Sequence, residues 1–113
     1  MAINSRRKGA EGERNLCRKL RDYGYDVRRG QQYSGANGDA DVVGIEGLHI
    51  ECKCYKSGHG KTYEWLDQSA KDARENETAV VMHRKVSTED RGNQWLVTLS
   101  LDDFMRLWKL GMK

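Results

Sequence analysis

The sequence predicts an α/β fold, a mixed central β-sheet flanked by helices. Apolar residues recur at helical spacing in "NLCRKLRDYGY", "YEWLDQSAKDA" and "LDDFMRLW". Between these stretches lie short runs rich in alternating or β-branched residues, punctuated by Gly, Asn and Asp. The resulting order is helix, three strands, helix, two strands, helix, which is that of a mixed sheet covered by helices. The chain has 113 residues, the usual size of one domain, so a single domain over residues 1–113 is expected.

Residues 8–24 read as the first helix, with Leu16, Cys17, Leu20 and Tyr23 at helical spacing and Gly24 as its stop. "YDVRR" (25–29) reads as a short strand, and "GQQYSGANG" as a loop. "DADVVGI" is a strand, "EG" a tight turn and "LHIECKCY" its partner strand. "KSGHGKT" is a loop ending in a candidate N-cap, Thr62. Residues 63–75 read as a helix with Leu66, Ser69, Ala70 and Ala73 on one face. "TAVVMH" and "QWLVTL" are strands separated by the loop "STEDRGN". Ser100 opens the last helix, with Asp103 as a capping-box partner and Leu101, Phe104, Met105 and Trp108 as its apolar stripe. For Trp95 and Trp108, core is the expected location, with an interface as the alternative.

Composition narrows the function. No apolar run reaches the length of a membrane span and no signal peptide is visible, so a cytoplasmic protein is expected. The cysteine count is odd, and Cys52 and Cys54 stand two apart on one strand; reduced thiols are the expectation. Pro is absent, so turns rest on Gly, Asn and Asp. The net charge is +3, and residues 1–30 hold nine Lys or Arg against four Asp or Glu. A basic segment beside an acidic cluster points to a polyanion, with nucleic acid first; the alternative is a solvated helix face. Arg6, Arg7, Lys8, Arg14, Arg28 and Arg29 are the candidate phosphate contacts.

The chemistry concentrates in the hairpin. Side chains alternate along a strand, so Leu48, Ile50, Cys52 and Cys54 share one face and His49, Glu51, Lys53 and Tyr55 the other. A short turn brings Asp41 beside Glu51. Like charges on neighbouring strands repel, and a divalent ion relieves that repulsion because hard cations bind carboxylate oxygens. Two carboxylates, a metal ion and a lysine suit phosphodiester hydrolysis; the competing reading is a polar sheet face with a surface ion pair. Glu13 falls within the apolar stripe of the first helix while Glu11 points away. An acid there needs a partner, either the metal centre or an arginine. Cys52 and Cys54 with His49 and His59 invite a zinc reading, but His49 lies on the face opposite both cysteines and no second cysteine pair exists.

These residues resemble a known family. "GDADVV" followed by "IECK" is similar to the split acid and acid-x-lysine signature of PD-(D/E)XK nucleases. With the helix "KGAEGERNLCRKLRDYGYDV", residues 6–56 resemble Holliday junction resolvases of the archaeal type and their phage relatives. The resemblance implies a restriction-endonuclease-like αβββαβ core and a Mg²⁺-dependent endodeoxyribonuclease acting in DNA recombination and repair. It implies Asp41 and Glu51 as ligands of Mg²⁺ or Mn²⁺, with the Cys52 carbonyl as a further ligand, Glu13 acting through water or directly, and Lys53 acting on the nucleophile. It further suggests Ser34 and Gln68 near the DNA, and a homodimer that nicks opposing strands of a four-way junction. Ala40 stands where the family often has Pro, which leaves Asp39 a rival ligand, and Asp72 replaces the tyrosine four residues after the glutamine. The alternatives are a nuclease of other selectivity, for repair or restriction, and a non-catalytic DNA-binding module.

Overall fold

The computed structural model describes the backbone of residues 2–31, 40–56, 61–86 and 94–111, with side chains from residue 9 onward. Helix α1 (Ala2–Asp22) leads into β1 (Arg28–Arg29), β2 (Val42–Val43) and β3 (Leu48–Tyr55). Helix α2 (Thr62–Asp72), strands β4 (Thr78–Lys85) and β5 (Leu96–Thr98), and helix α3 (Leu101–Gly111) follow. The five strands form one sheet in the order β1-β2-β3-β4-β5. Among the described residues only β3 and β4 are parallel; the other neighbours are antiparallel. The crossover helix between β3 and β4 is α2, as a parallel pair demands. The α/β architecture with a mixed sheet flanked by helices is therefore present, and it is compatible with a restriction-endonuclease-like core.

The two faces of β3 meet different helices. Leu16, Cys17 and Leu20 of α1 bury against Val42, Ile50, Val80 and Met82. The helix approaches closely at Gly12, where an added Cβ would sit 2.7 Å from Cys54 Sγ, so this helix-interior glycine has a packing reason. On the opposite face, α2 rests on β3 and β4 through Ser69, which is fully buried and whose Oγ donates to the His49 or Val80 carbonyl, each 3.3 Å away. Trp65 of α2 packs against Tyr55 and His83, at centroid distances of 5.3 and 5.9 Å.

Element boundaries differ from expectation in physical ways. Helix α1 begins at Ala2 rather than residue 8; its first turns are largely polar and carry no apolar period that would signal them in the sequence. Tyr23 is exposed beyond the end of α1, with Lys19 Nζ over its ring, so it is not core. Gly24 follows at φ +97° and its N–H bonds the Arg21 carbonyl at 2.9 Å, the expected helix stop. Strands β1 and β2 are two residues each, and Gly44, at φ +125°, directly follows β2. Thr62 lies inside α2; the N-cap is Lys61, with no side-chain cap bond. Ala70 is exposed, and the chain is already extended at Ala73. Ser100 caps α3 as expected, its Oγ accepting from Asp103 N–H at 3.0 Å.

The core expectation for α3 fails. None of its residues is buried; Phe104 and Trp108 stack on each other in the open, and Trp108 is 55% exposed. A groove lined by Leu48, Val97, Leu99, Phe104, Leu107 and Trp108 separates the helix from the sheet. Trp95, in contrast, is half-buried against the core, beneath Arg84 at 5.1 Å. Ser34, Asp39, His59 and the loop 87–93 lie outside the described residues.

The hairpin glycines supply a test. Gly47 has φ +92° and open space around its Cβ position, so Gly47→Ala costs only backbone strain, about 1–2 kcal/mol. Gly44→Ala adds a clash, because its Cβ would lie 2.5 Å from the Asp26 carbonyl oxygen. Urea denaturation is expected to show Gly44→Ala as the more destabilising of the two; equal losses would contradict the close backbone approach.

Candidate active site

The β2–β3 register builds the centre. Val42 pairs with Ile50, which sets Asp41 opposite Glu51. The Asp41 backbone is fixed at both ends: its N–H donates to the Ile50 carbonyl at 3.0 Å, and its carbonyl accepts from Gly30 N–H at 2.8 Å. Its Oδ2 accepts from Cys52 N–H at 2.9 Å. Both acids are buried, Asp41 to 9% exposure and Glu51 to 7%. Burial, then the Asp41 charge and a hydrogen bond between the two carboxyls, pushes Glu51 from its ordinary 4.5 to about 8. Lys53, on the same strand face, pulls it back down; Asp72 adds to the rise.

Glu13 enters from α1. It is largely buried, and its Oε1 accepts from Arg29 Nε at 3.0 Å. Burial raises its pKa, the hydrogen bond from Arg29 lowers it, and the Asp41 charge raises it again. Asp41 thus lies within electrostatic reach of both Glu13 and Glu51. Glu13 takes the arginine partner that sequence reasoning weighed against a metal, and Arg29 is committed to that carboxylate.

The remaining candidates scatter around this centre. Arg14 is exposed on α1, and Arg28 is exposed on the edge strand, donating to the Arg29 carbonyl. Gln68 is exposed on α2, one turn before Asp72 and on the same helix face. Arg6, Arg7 and Lys8 lie on the first turns of α1, where only the backbone is described. Cys52 and Cys54 are free thiols on the α1 side of β3 and hydrogen-bond each other. That bond and burial push Cys52 up; the same bond lowers Cys54. His49 faces away from both, toward α2, so the cysteine–histidine zinc set does not form among the described residues.

Sequence reasoning missed the surroundings of His49. The ring is buried, with Nε2 3.6 Å from Glu51 Oε1 and Nδ1 3.7 Å from Glu77 Oε1. Alternation along β3 put His49 on the Glu51 face. Asp72 entered only as the residue in place of the tyrosine four after Gln68, nothing local signalled Glu77, and the crossover brings both back from a distance in sequence.

Two opposed carboxyls form an all-oxygen donor pair, the set that hard divalent ions such as Mg²⁺ and Mn²⁺ prefer. The crowding that protonates Glu51 is what a bound cation would relieve, so the residues fit such an ion.

Comparison with protein families matches residues 4–64 to the archaeal Holliday junction resolvase family. The chain belongs to that family, a family of nucleases consistent with the PD-(D/E)XK superfamily. Comparisons with curated proteins and with solved structures gave no match. Among the described residues, no helix is long and apolar enough to cross a membrane.

The carboxyl pair predicts a pH signature. Folded protein holds the Glu51 proton to about pH 8, whereas the unfolded chain releases it near 4.5. The native state binds more protons across that window, so stability falls as pH rises through it, by at most about 1.4 kcal/mol per unit. His83, whose pKa burial lowers, opposes folding on the acid side and does so equally in a Glu51 variant. Metal-free protein is therefore expected to lose stability from pH 5 to 8, Glu51→Gln to flatten that loss, and Mg²⁺ to restore stability at pH 8. Parallel wild-type and variant pH profiles in chemical denaturation would contradict the carboxyl crowding.

Proposed function

We propose that this chain is a divalent-metal-dependent endonuclease that cleaves phosphodiester bonds in branched DNA, a four-way junction foremost. The observation that carries the reading is the buried opposition of Asp41 and Glu51, with Lys53 two residues along the same strand face, in a chain of the resolvase family. A pure DNA binder gains nothing from buried acids that repel phosphate.

Asp41 and Glu51 are the proposed ligands of Mg²⁺ or Mn²⁺, with the Cys52 carbonyl as a further candidate. The ion supplies a water of lowered pKa and a positive charge for the phosphate. Lys53 orients the attacking water and stabilises charge on the phosphate through its ammonium group. Glu13, steadied by Arg29, accepts from a water at the edge of the centre. Arg14 and Arg28 are exposed and stand where phosphates can approach them, with Arg6, Arg7 and Lys8 extending the basic run along α1; Ser34 and Gln68 complete the proposed DNA contacts. Asp39 remains the rival of Asp41 as ligand. The work belongs to the cytoplasm of a bacterial, archaeal or phage-infected cell.

A homodimer fits this reading, because two cuts on opposing strands need two centres. The exposed apolar stripe of α3, Leu101, Phe104, Met105 and Trp108, suits a self-complementary two-fold contact. Sedimentation is expected to show a species twice the 13.0 kDa chain, and Trp108→Glu to halve it; a wild-type monomer at micromolar concentration would contradict the dimer.

Cleavage of matched junction, duplex and single-stranded DNA tests the function. Junction cleavage with Mg²⁺ and none in EDTA is expected. Asp41→Asn, Glu51→Gln and Lys53→Ala should each lower the rate by at least about 100-fold while junction binding persists. Equal cutting of duplex would indicate another selectivity, and activity retained in all three variants would move the site elsewhere.

A further inference from the structure

A second group of donors adjoins the proposed centre. One ligand atom each from His49, Glu51 and Asp72 lies within 4.8 Å of the others. The group combines β3 with the C-terminal end of α2, and the fold holds these elements together through the Ser69 contact with the His49 and Val80 carbonyls. His49 is 3% exposed. Its Nε2 is fully buried and, among the described residues, has no hydrogen-bond partner. Glu51 Oε1, at 3.6 Å, is beyond hydrogen-bonding range. A buried nitrogen left without a partner costs stability unless something binds it. Asp72 is exposed, so the group opens to solvent on one side and an ion has a way in.

We infer that His49, Glu51 and Asp72 form a second divalent-metal site, selective for borderline transition ions such as Co²⁺ or Zn²⁺ over Mg²⁺. Selectivity follows from the donors. Imidazole nitrogen is a good ligand for these ions and a poor one for Mg²⁺, which demands oxygens and gives up its waters reluctantly. Three protein ligands leave coordination positions open to water. Glu77, 3.7 Å from His49 Nδ1, stands where a carboxylate can orient the ring from behind. Glu51 has two oxygens, so one can face Asp41 and the other His49. A transition ion bound here shares Glu51 with the Asp41 side and modulates it. This site does not depend on the chain cutting DNA.

Titration of metal-free protein with Co²⁺ tests it, read by the visible absorption of the bound ion and by calorimetry. Wild type is expected to bind Co²⁺ with little competition from excess Mg²⁺, and to show a paramagnetically shifted imidazole N–H proton resonance. His49→Gln and Asp72→Asn should each weaken binding by at least about tenfold, while Asp41→Asn holds Co²⁺ within a few-fold of wild type. Asp72 is exposed, so its variant decides the matter even if His49→Gln fails to fold. The inference is overturned if Asp72→Asn leaves Co²⁺ binding unchanged, if no shifted imidazole proton appears, or if Asp41→Asn alone abolishes binding. Loss of junction cleavage in Asp41→Asn with Co²⁺ binding intact separates this site from the proposed nuclease centre.

Discussion

The crowding of Asp41 against Glu51 is the constraint around which this structure is organised. Two adjacent antiparallel strands would ordinarily avoid facing acids. Here the backbone pins Asp41 between Gly30 and Ile50, and the Cys52 amide holds its carboxylate. Neither acid can escape by rotating into solvent, because both are buried. The cost appears as a Glu51 proton retained to about pH 8. A fold that keeps such a pair through its strand register carries a built-in demand for positive charge.

The surrounding elements serve that pair from two sides. Helix α1 anchors on Val42 and Ile50 through Leu16, Cys17 and Leu20, and its close approach at Gly12 brings Glu13 and, through it, Arg29 to the edge of the centre. Helix α2 covers the other face, where Ser69 locks onto the sheet and Asp72 adds a further negative charge near Glu51. Arg14 and Arg28 are exposed on α1 and the edge strand, while Asp41 and Glu51 are buried.

Much of this was legible in the sequence, for identifiable reasons. Strand β3 was read to the residue because "LHIECKCY" alternates and Gly47 marks its turn. The opposition of Asp41 and Glu51 followed from that same short turn, and the family resemblance from the acid-x-lysine spacing. What escaped had no local signal. The early start of α1 is polar. The close approach of Gly44 to the Asp26 backbone is a tertiary contact. The meeting of His49 with Asp72 depends on how α2 crosses the sheet. The apolar stripe of α3 was visible, but amphipathicity alone does not say whether such a face packs on its own sheet, and here it does not.

Diffraction from crystals grown with Mn²⁺ tests the central claim most directly. The anomalous difference map should show a peak coordinated by oxygens of both Asp41 and Glu51. A map with no peak there, and the two carboxyls turned away from one another, would contradict it.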